Sequence, residues 1–116
     1  MQKGFTKQIK TRKYQERKAM KEIIVEIKNE QGLHARPAAL IVNIAKKYNV
    51  NLEIEKIGEN EVIDGKSVIG VMTLGAAEGE RLKLRAVSDD GNNTGEESKL
   101  LEELRQLIEI NKFFEK

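Results

Sequence analysis

The sequence lacks cysteine and tryptophan, and it contains one histidine and one proline among 116 residues. The absence of cysteine excludes structural disulfides and thiolate metal sites, and nothing points to an oxidising compartment. A single histidine, His34, leaves no second imidazole to complete an ordinary metal-ligand set. The sequence therefore predicts neither a bound metal nor a cofactor.

Long hydrophobic runs are also absent, and aromatic residues make up only 4% of the chain. No apolar run approaches the roughly 20 residues of a membrane span, and residues 23–25 are too few for a signal-peptide core. The core must therefore be aliphatic, and 116 residues are enough for one domain. We expect a cytoplasmic protein that does not insert into a membrane.

Positive charge is concentrated at the start of the chain. Residues 1–19 carry seven Lys and Arg against one Glu, which leaves 14 basic and 18 acidic residues in 20–116. We interpret 1–19 as a disordered basic N-terminal extension and 20–116 as the folded domain. Three alternatives stay open for the extension: an arm that contacts nucleic acid or a membrane surface, a tag remnant, or an untranslated segment with Met20 as the start.

Hydrophobic periodicity divides the rest of the chain into seven elements. Period-two alternation predicts strands at residues 21–28, 50–55, 62–63 and 80–87. Helical spacing predicts helices at residues 35–48 and 67–74, and from a capping box at Thr94 and Glu97 to about residue 111. The order β-α-β-β-α-β-α predicts an α+β fold, an open-faced β-sandwich with a four-stranded, mostly antiparallel sheet and three helices on one face.

Two helices carry apolar stripes that predict their buried faces. The stripe of the first helix contains Pro37, Leu40, Ile41, Ile44, Ala45 and Tyr48. The stripe of the last helix contains Leu100, Leu101, Leu104, Leu107, Ile108 and Asn111. Phe113 and Phe114 follow this helix and either anchor its end or fray.

Residues 31–39, Gln-Gly-Leu-His-Ala-Arg-Pro-Ala-Ala, lie where a predicted strand passes into a predicted helix. A helix N-terminus disfavours the imidazolium form, which favours a neutral, nucleophilic ring at His34. The backbone N–H groups of Ala35 and Arg36 are available to phosphate oxygens, and Arg36 adds a cationic donor. The segment therefore predicts a phosphoryl acceptor at His34, and the alternative is that His34 only caps the helix.

Two separated motifs resemble one family. The run Gly-Leu-His-Ala-Arg-Pro-Ala at 32–38 resembles the active-site signature of the HPr family, the histidine phosphocarriers of the bacterial phosphoenolpyruvate-dependent sugar phosphotransferase system. The run Lys-Ser-Val-Ile-Gly-Val-Met-Thr-Leu-Gly at 66–75 is similar to the regulatory-serine helix of that family. The resemblance extends over about residues 20–116, although Gly65 replaces a usual apolar residue.

The resemblance implies a relay protein rather than an enzyme. His34 would accept a phosphoryl group on Nδ1 from phospho-enzyme I and pass it to EIIA domains in sugar uptake, and Arg36 would stabilise the phosphate. Ser67 matches the serine that HPr kinase/phosphorylase modifies in carbon catabolite repression, where a catabolite-control transcription factor is a partner. The family also implies a monomer in the cytoplasm without direct nucleic-acid contact.

Three residues of the second motif, Val68, Ile69 and Met72, are predicted to form an exposed docking patch beside His34. The alternative is that Met72 and Val71 belong to the core, which we accept for Val71. Ser67 also has a plain structural interpretation, as the N-cap of its helix. Two other functions stay open: a regulatory phosphocarrier of nitrogen or metabolic control, and a non-transferring regulator that binds a transcription factor through the Ser67 helix.

Overall fold

The computed structural model describes residues 19–88 and 95–115. Their elements are β1 (Ala19–Glu26), α1 (Ala35–Ala45), β2 (Asn51–Lys56), β3 (Val62–Asp64), α2 (Val68–Thr73), β4 (Arg81–Ser88) and α3 (Glu96–Arg105), followed by a π-helical turn (Gln106–Ile110) and a 3-10 turn (Lys112–Phe114). The predicted order β-α-β-β-α-β-α is confirmed. Residues 1–18 of the predicted extension lie outside the described residues, and β1 begins at Ala19.

The four strands form one sheet in the order β1-β4-β2-β3, and each neighbouring pair is antiparallel. Strand β4, one of the two inner strands, directs Leu82, Leu84 and Ala86 into the core, where each is fully buried. Alternate residues face the other side of the sheet, where Arg85 pairs with Glu53 of β2 at 2.8 Å. The predicted open-faced sandwich, with a β2–β3 hairpin, is therefore confirmed.

Helix α1 is shorter than predicted, and its buried face overlaps the predicted stripe only in part. It ends at Ala45, and its buried residues are Pro37, Ala38, Ile41, Val42 and Ala45. Leu40, Ile44 and Tyr48 of the predicted stripe are only partly buried. Leu40 and Ile44 lie at the rim of the core, where they line a surface groove of about 330 Å³ against the end of α3.

The end of the last helix also differs from the prediction. Leu107 and Ile108 are buried as predicted, but Asn111 is exposed. The cause is the π-helical turn, in which Asn111 N–H donates to Gln106 C=O at 2.8 Å. This turn holds one residue more than an α-helical turn, so it rotates the following residues away from the predicted stripe.

The predicted capping box at the start of α3 is wrong. The N-cap is Gly95, in a left-handed conformation with φ 92°, and Thr94 lies outside the described residues. Helix α3 therefore begins at Glu96 and leaves Glu97 in the second helical position, one short of the position that a capping box requires. The Glu97 side chain is buried.

The chain ends in an unusual backbone turn. Lys112, Phe113 and Phe114 have φ angles of 48°, 56° and 57°, and left-handed backbone costs an L residue about 1–2 kcal/mol. Phe113 is fully buried, which contributes about 1.5–3 kcal/mol, and its carbonyl accepts a hydrogen bond from Arg36. Phe113 therefore anchors the end of the chain, whereas Phe114 is 58% exposed.

The loop before α1 depends on a glycine. Gly32 has φ +70°, and a Cβ at this position would lie 2.5 Å from the Ala76 carbonyl oxygen. The neighbouring Leu33 N–H donates to that same oxygen at 2.9 Å. Residues 32 and 33 therefore pack directly on the backbone that follows α2, and a side chain at residue 32 would separate the two segments.

We predict that Phe114→Gly raises the free energy of unfolding by about 0.5–1 kcal/mol, because glycine adopts the left-handed conformation without the Cβ clash. Chemical denaturation measures the change. Ile110→Gly is the control, since Ile110 is similarly exposed at 56% but lies in a right-handed turn. That variant should lose about 1 kcal/mol. A loss of stability in both variants would contradict the assignment of strain to residue 114.

We also predict that Gly32→Ala lowers the free energy of unfolding by at least about 2 kcal/mol, because it adds a backbone clash to the left-handed penalty. Gly75→Ala is the matched control. Its φ is +60°, but nothing lies within 4 Å of the added Cβ. The control should lose only about 1 kcal/mol. Equal losses in urea unfolding would show that the contact with Ala76 is not tight.

Candidate functional site

His34 occupies the N-cap position of α1, with extended backbone at φ −99° and ψ −165°. Its carbonyl accepts the Ala38 N–H at 3.0 Å, which begins the helical hydrogen bonds. The imidazole is exposed and makes no capping hydrogen bond to the helix. His34 is therefore the N-cap of α1 through its backbone alone, and the ring faces solvent at the end of a helix.

A buried asparagine holds the loop that leads to His34. Asn29 is 1% exposed, and its Nδ2 donates to the Gly32 carbonyl at 2.9 Å. The same carbonyl accepts the His34 N–H at 3.2 Å. Asn29 was not among the predicted site residues, although a signal existed: Asn29 continues the inward alternation of Val25 and Ile27. A polar residue at such a position indicates a buried hydrogen bond.

The backbone against which this loop packs is itself held by hydrogen bonds. Ile27 N–H donates to Glu80 C=O at 2.9 Å, and Gly79 N–H donates to Ile27 C=O at 2.8 Å. The Glu80 carboxylate accepts the Ala77 N–H at 2.7 Å. This bond, together with a contact from Lys56, holds the pKa of Glu80 below its ordinary value. Residues 76–80 therefore form a firm base for the loop.

The first turn of α1 presents donors to the space beside the imidazole. The N–H groups of Ala35 and Arg36 have no intrahelical acceptor, because the carbonyls four residues earlier lie outside the helix. Pro37 has no N–H. The first turn of α1 contains no acidic residue to compete for them. The partial positive charge of the helix end is thus available to an anion next to His34.

Arg36 is the cationic group nearest in sequence to His34, and the end of the chain holds it. Its Nη1 donates to the Phe113 carbonyl at 2.7 Å. A guanidinium has five N–H donors, so this bond leaves donors for a second acceptor. His34 and Arg36 share a cavity of about 420 Å³. Its lining residues are Gln31, His34, Arg36, Pro37, Phe113, Phe114 and Glu115.

The contribution of residues 113–115 to this cavity was not predicted from the sequence. Residues 113–115 lie 77–85 positions from the residues that they contact around His34. A local sequence pattern gives no information about contacts between residues so far apart in the chain. The apolar pair Phe113 and Phe114 after the last helix was the only signal, and it did not distinguish an anchored end from a frayed one.

Ser67 is the N-cap of α2, as its plain structural interpretation predicted. Its Oγ accepts the Gly70 N–H at 3.0 Å, and its carbonyl accepts the Val71 N–H at 2.9 Å. The side chain is half-buried. Gly65, which stands two residues before Ser67 in place of a usual apolar residue, is explained by packing. A Cβ there would lie 2.4 Å from Cδ2 of Leu52.

The three residues predicted to form a docking patch all have exposed side chains. Val68, Ile69 and Met72 are 36%, 75% and 40% exposed, whereas Val71 is fully buried. The alternative that Met72 belongs to the core is therefore wrong, and the assignment of Val71 to the core is confirmed. Helix α2 packs beside α1, and the segment after α2 contacts the loop before His34. The patch and the imidazole thus lie on adjacent elements.

Two findings concern other kinds of site. Among residues 19–88 and 95–115, no group of three His, Asp or Glu side chains is placed to hold a metal ion. In the same part of the chain, no helix has both the length and the apolar character needed to cross a bilayer.

Comparison with known proteins agrees with this geometry. The family model for the PTS HPr component phosphorylation site matches residues 21–109. The crystal structure of HPr-C-His from Thermoanaerobacter tengcongensis is similar, with a TM-score of 0.69, 41% identity and coverage of 83% of this chain and 98% of that one. A phosphocarrier protein HPr from Bacillus anthracis has a TM-score of 0.66 and 28% identity over 78% of this chain and 99% of its own.

Curated relatives are much longer than this chain. The multiphosphoryl transfer protein of Haemophilus influenzae is 40% identical over 70 residues, which are 60% of this chain and 14% of the relative. That of Vibrio cholerae is 38% identical over 65 residues, which are 55% of this chain and 16% of the relative. The family match, the solved structures and the exposed His34 at the start of α1 lead to one conclusion: the chain belongs to the HPr family of the phosphotransferase system.

Proposed function

We propose that this chain is a phosphocarrier in which His34 receives a phosphoryl group from phospho-enzyme I and passes it to an EIIA domain. The observation that carries the proposal is the exposed imidazole at the N-terminus of α1, which makes no capping bond and lies beside unused donors. Such a chain is a relay between enzymes and not a catalyst. The proposal places it in the cytoplasm as a monomer that takes part in sugar uptake.

The transfer is an in-line displacement at phosphorus. The lone pair of His34 Nδ1 forms the new N–P bond while the donor's bond to phosphorus breaks, and its electron pair leaves with the donor. Attack by Nδ1 requires that the neutral ring carry its proton on Nε2. The reverse sequence, with an EIIA side chain as the nucleophile, unloads the phosphoryl group and returns the neutral ring.

Charge on the transferring group is balanced by fixed donors. The N–H groups of Ala35 and Arg36 bind phosphoryl oxygens at the helix end, and the remaining Arg36 donors neutralise charge as it moves. Because Arg36 is already held through Phe113, its guanidinium starts close to its place of action. Little ordering is then required when the phosphoryl group arrives.

Docking uses the apolar surface beside the nucleophile. Val68, Ile69 and Met72 are exposed on a short helix whose neighbouring residues are polar or buried, a composition typical of a protein-binding surface. The same surface receives HPr kinase/phosphorylase at Ser67 and, in the phosphorylated form, a catabolite-control transcription factor. This exposed helix also favours the second candidate function, a regulator that binds a transcription factor without phosphoryl transfer.

We predict that His34→Ala is not phosphorylated by enzyme I, Mg²⁺ and phosphoenolpyruvate, whereas the wild-type chain gains one acid-labile phosphate. The side chain is exposed, so the variant should unfold at nearly the same temperature as the wild type. Ser67→Ala is the control and should still be labelled on His34. Full labelling of His34→Ala would overturn the assignment, and an inert wild type would favour the non-transferring regulator or a different phosphoryl donor.

We predict that Ser67→Asp folds at least as stably as the wild type but accepts phosphate on His34 at least about tenfold more slowly. Aspartate is a good N-cap, and its charge at the start of α2 is favourable to the helix. The same charge lies on the docking surface and repels an acidic partner. Phosphoryl-transfer assays quenched at successive times measure the rate, and thermal unfolding followed by circular dichroism measures the stability.

The control for this variant is Ser67→Ala. It loses the hydrogen bond to Gly70 and about 1 kcal/mol of stability, but it should transfer at the wild-type rate and be refused by HPr kinase. Equal transfer by the Asp and wild-type forms would contradict a docking surface at α2.

A further inference from the structure

The end of the chain contacts the His34 loop on both sides of the histidine. Before His34, the Glu115 carboxylate accepts the Glu30 N–H at 2.8 Å and the Gln31 N–H at 3.3 Å. After His34, Arg36 donates to the Phe113 carbonyl at 2.7 Å. These contacts come from residues beyond 109, where the match to the family model ends.

The residues that make these contacts are held firmly in place. Phe113 is fully buried in the core, so the turn cannot move without exposing an aromatic ring. Within the turn, Phe114 N–H donates to Asn111 C=O at 2.7 Å and Glu115 N–H donates to Lys112 C=O at 3.1 Å. Glu115 thus lies only two residues from the buried Phe113, which limits the positions that its carboxylate can reach.

We propose that Glu115 is a positioning residue for phosphoryl transfer at His34. Its carboxylate holds the backbone of residues 30 and 31 while the Phe113 carbonyl holds Arg36, so one turn clamps the loop and the cation on either side of the nucleophile. In-line displacement is sensitive to such alignment, and a shift of about 1 Å can cost up to about a hundredfold in rate. This inference rests on the phosphocarrier function proposed above.

The negatively charged Glu115 side chain lines the same cavity as His34. A bare negative charge there would repel the incoming phosphoryl group. Both carboxylate oxygens instead accept backbone N–H groups, which offset part of that charge. Positioning and repulsion make opposite predictions for removal of the side chain: the first predicts slower transfer and the second predicts faster transfer.

The test compares Glu115→Ala, Glu115→Gln and a matched control, Glu109→Ala. Glu109 makes the same kind of bond, from the Glu26 N–H to Oε2 at 2.8 Å, but it does not line the cavity. Steady-state phosphorylation by enzyme I measures kcat and KM for each variant. Amide hydrogen exchange of residues 30 and 31 reports the clamp independently of phosphate.

The expected result is a fall in kcat of about tenfold for Glu115→Ala with little change in KM, together with faster exchange of the two amides. Glu115→Gln should recover most of the rate, since its amide oxygen still accepts an N–H. Glu109→Ala should lose stability but transfer at the wild-type rate.

Wild-type kcat in Glu115→Ala, or an increase in its kcat, would overturn the positioning role. Equal losses in Glu115→Ala and Glu109→Ala would also overturn it, because they would show a general effect of stability. Failure of the phosphocarrier function itself is distinguishable, since the wild-type chain would then accept no phosphate, and the role of Glu115 in transfer would fall with it.

Discussion

The pairing register of β1 with β4 is the constraint on which the site depends. Glu26 lies opposite Arg81, so the chain leaves β1 at the point where it enters β4. Hydrogen bonds between Ile27 and residues 79 and 80 continue the pairing past the strands. The loop before His34 therefore packs against the segment that follows α2. A slip of one residue would turn the inward side chains of β1 outward and separate the two segments.

This register explains why the elements that carry His34 and Ser67, 33 positions apart in the sequence, lie next to each other. Gly32 allows the loop to approach the Ala76 carbonyl closely, and Asn29 holds the loop from within the core. The imidazole can remain exposed because buried neighbours, not the ring itself, fix the backbone that carries it. In the function proposed above, the ring is thus free to accept and release a phosphoryl group without disturbing the backbone that carries it.

The end of the chain shows how local strain and tertiary packing are balanced. Three successive residues from Lys112 to Phe114 adopt left-handed backbone, which no local preference favours. Burial of Phe113 and the bond from Arg36 compensate for this cost. Residues 113–115 thereby form one wall of the cavity that contains His34. Their sequence pattern alone indicates only that a helix ends there.

The sequence by itself determined the element order, the inward face of each strand and the position of His34 before a helix, because period-two and helical spacings and the Pro37 position are local signals. It also determined the family, through motifs of consecutive residues. Its errors lay in the buried face of α1, the N-cap of α3 and the exposure of Asn111. Packing between elements set the buried face of α1, the left-handed Gly95 precedes α3, and the π-helical turn rotated Asn111 outward.

Only the tertiary structure decided what surrounds His34. The Arg36 bond to Phe113 and the Glu115 bonds to residues 30 and 31 join positions 77–85 apart. Whether Met72 is buried or exposed was likewise decided by the docking of α2, since a six-residue helix has too few turns to define a face. Such contacts depend on how folded elements meet in space, and hydrophobic periodicity reports only which side of each element is buried.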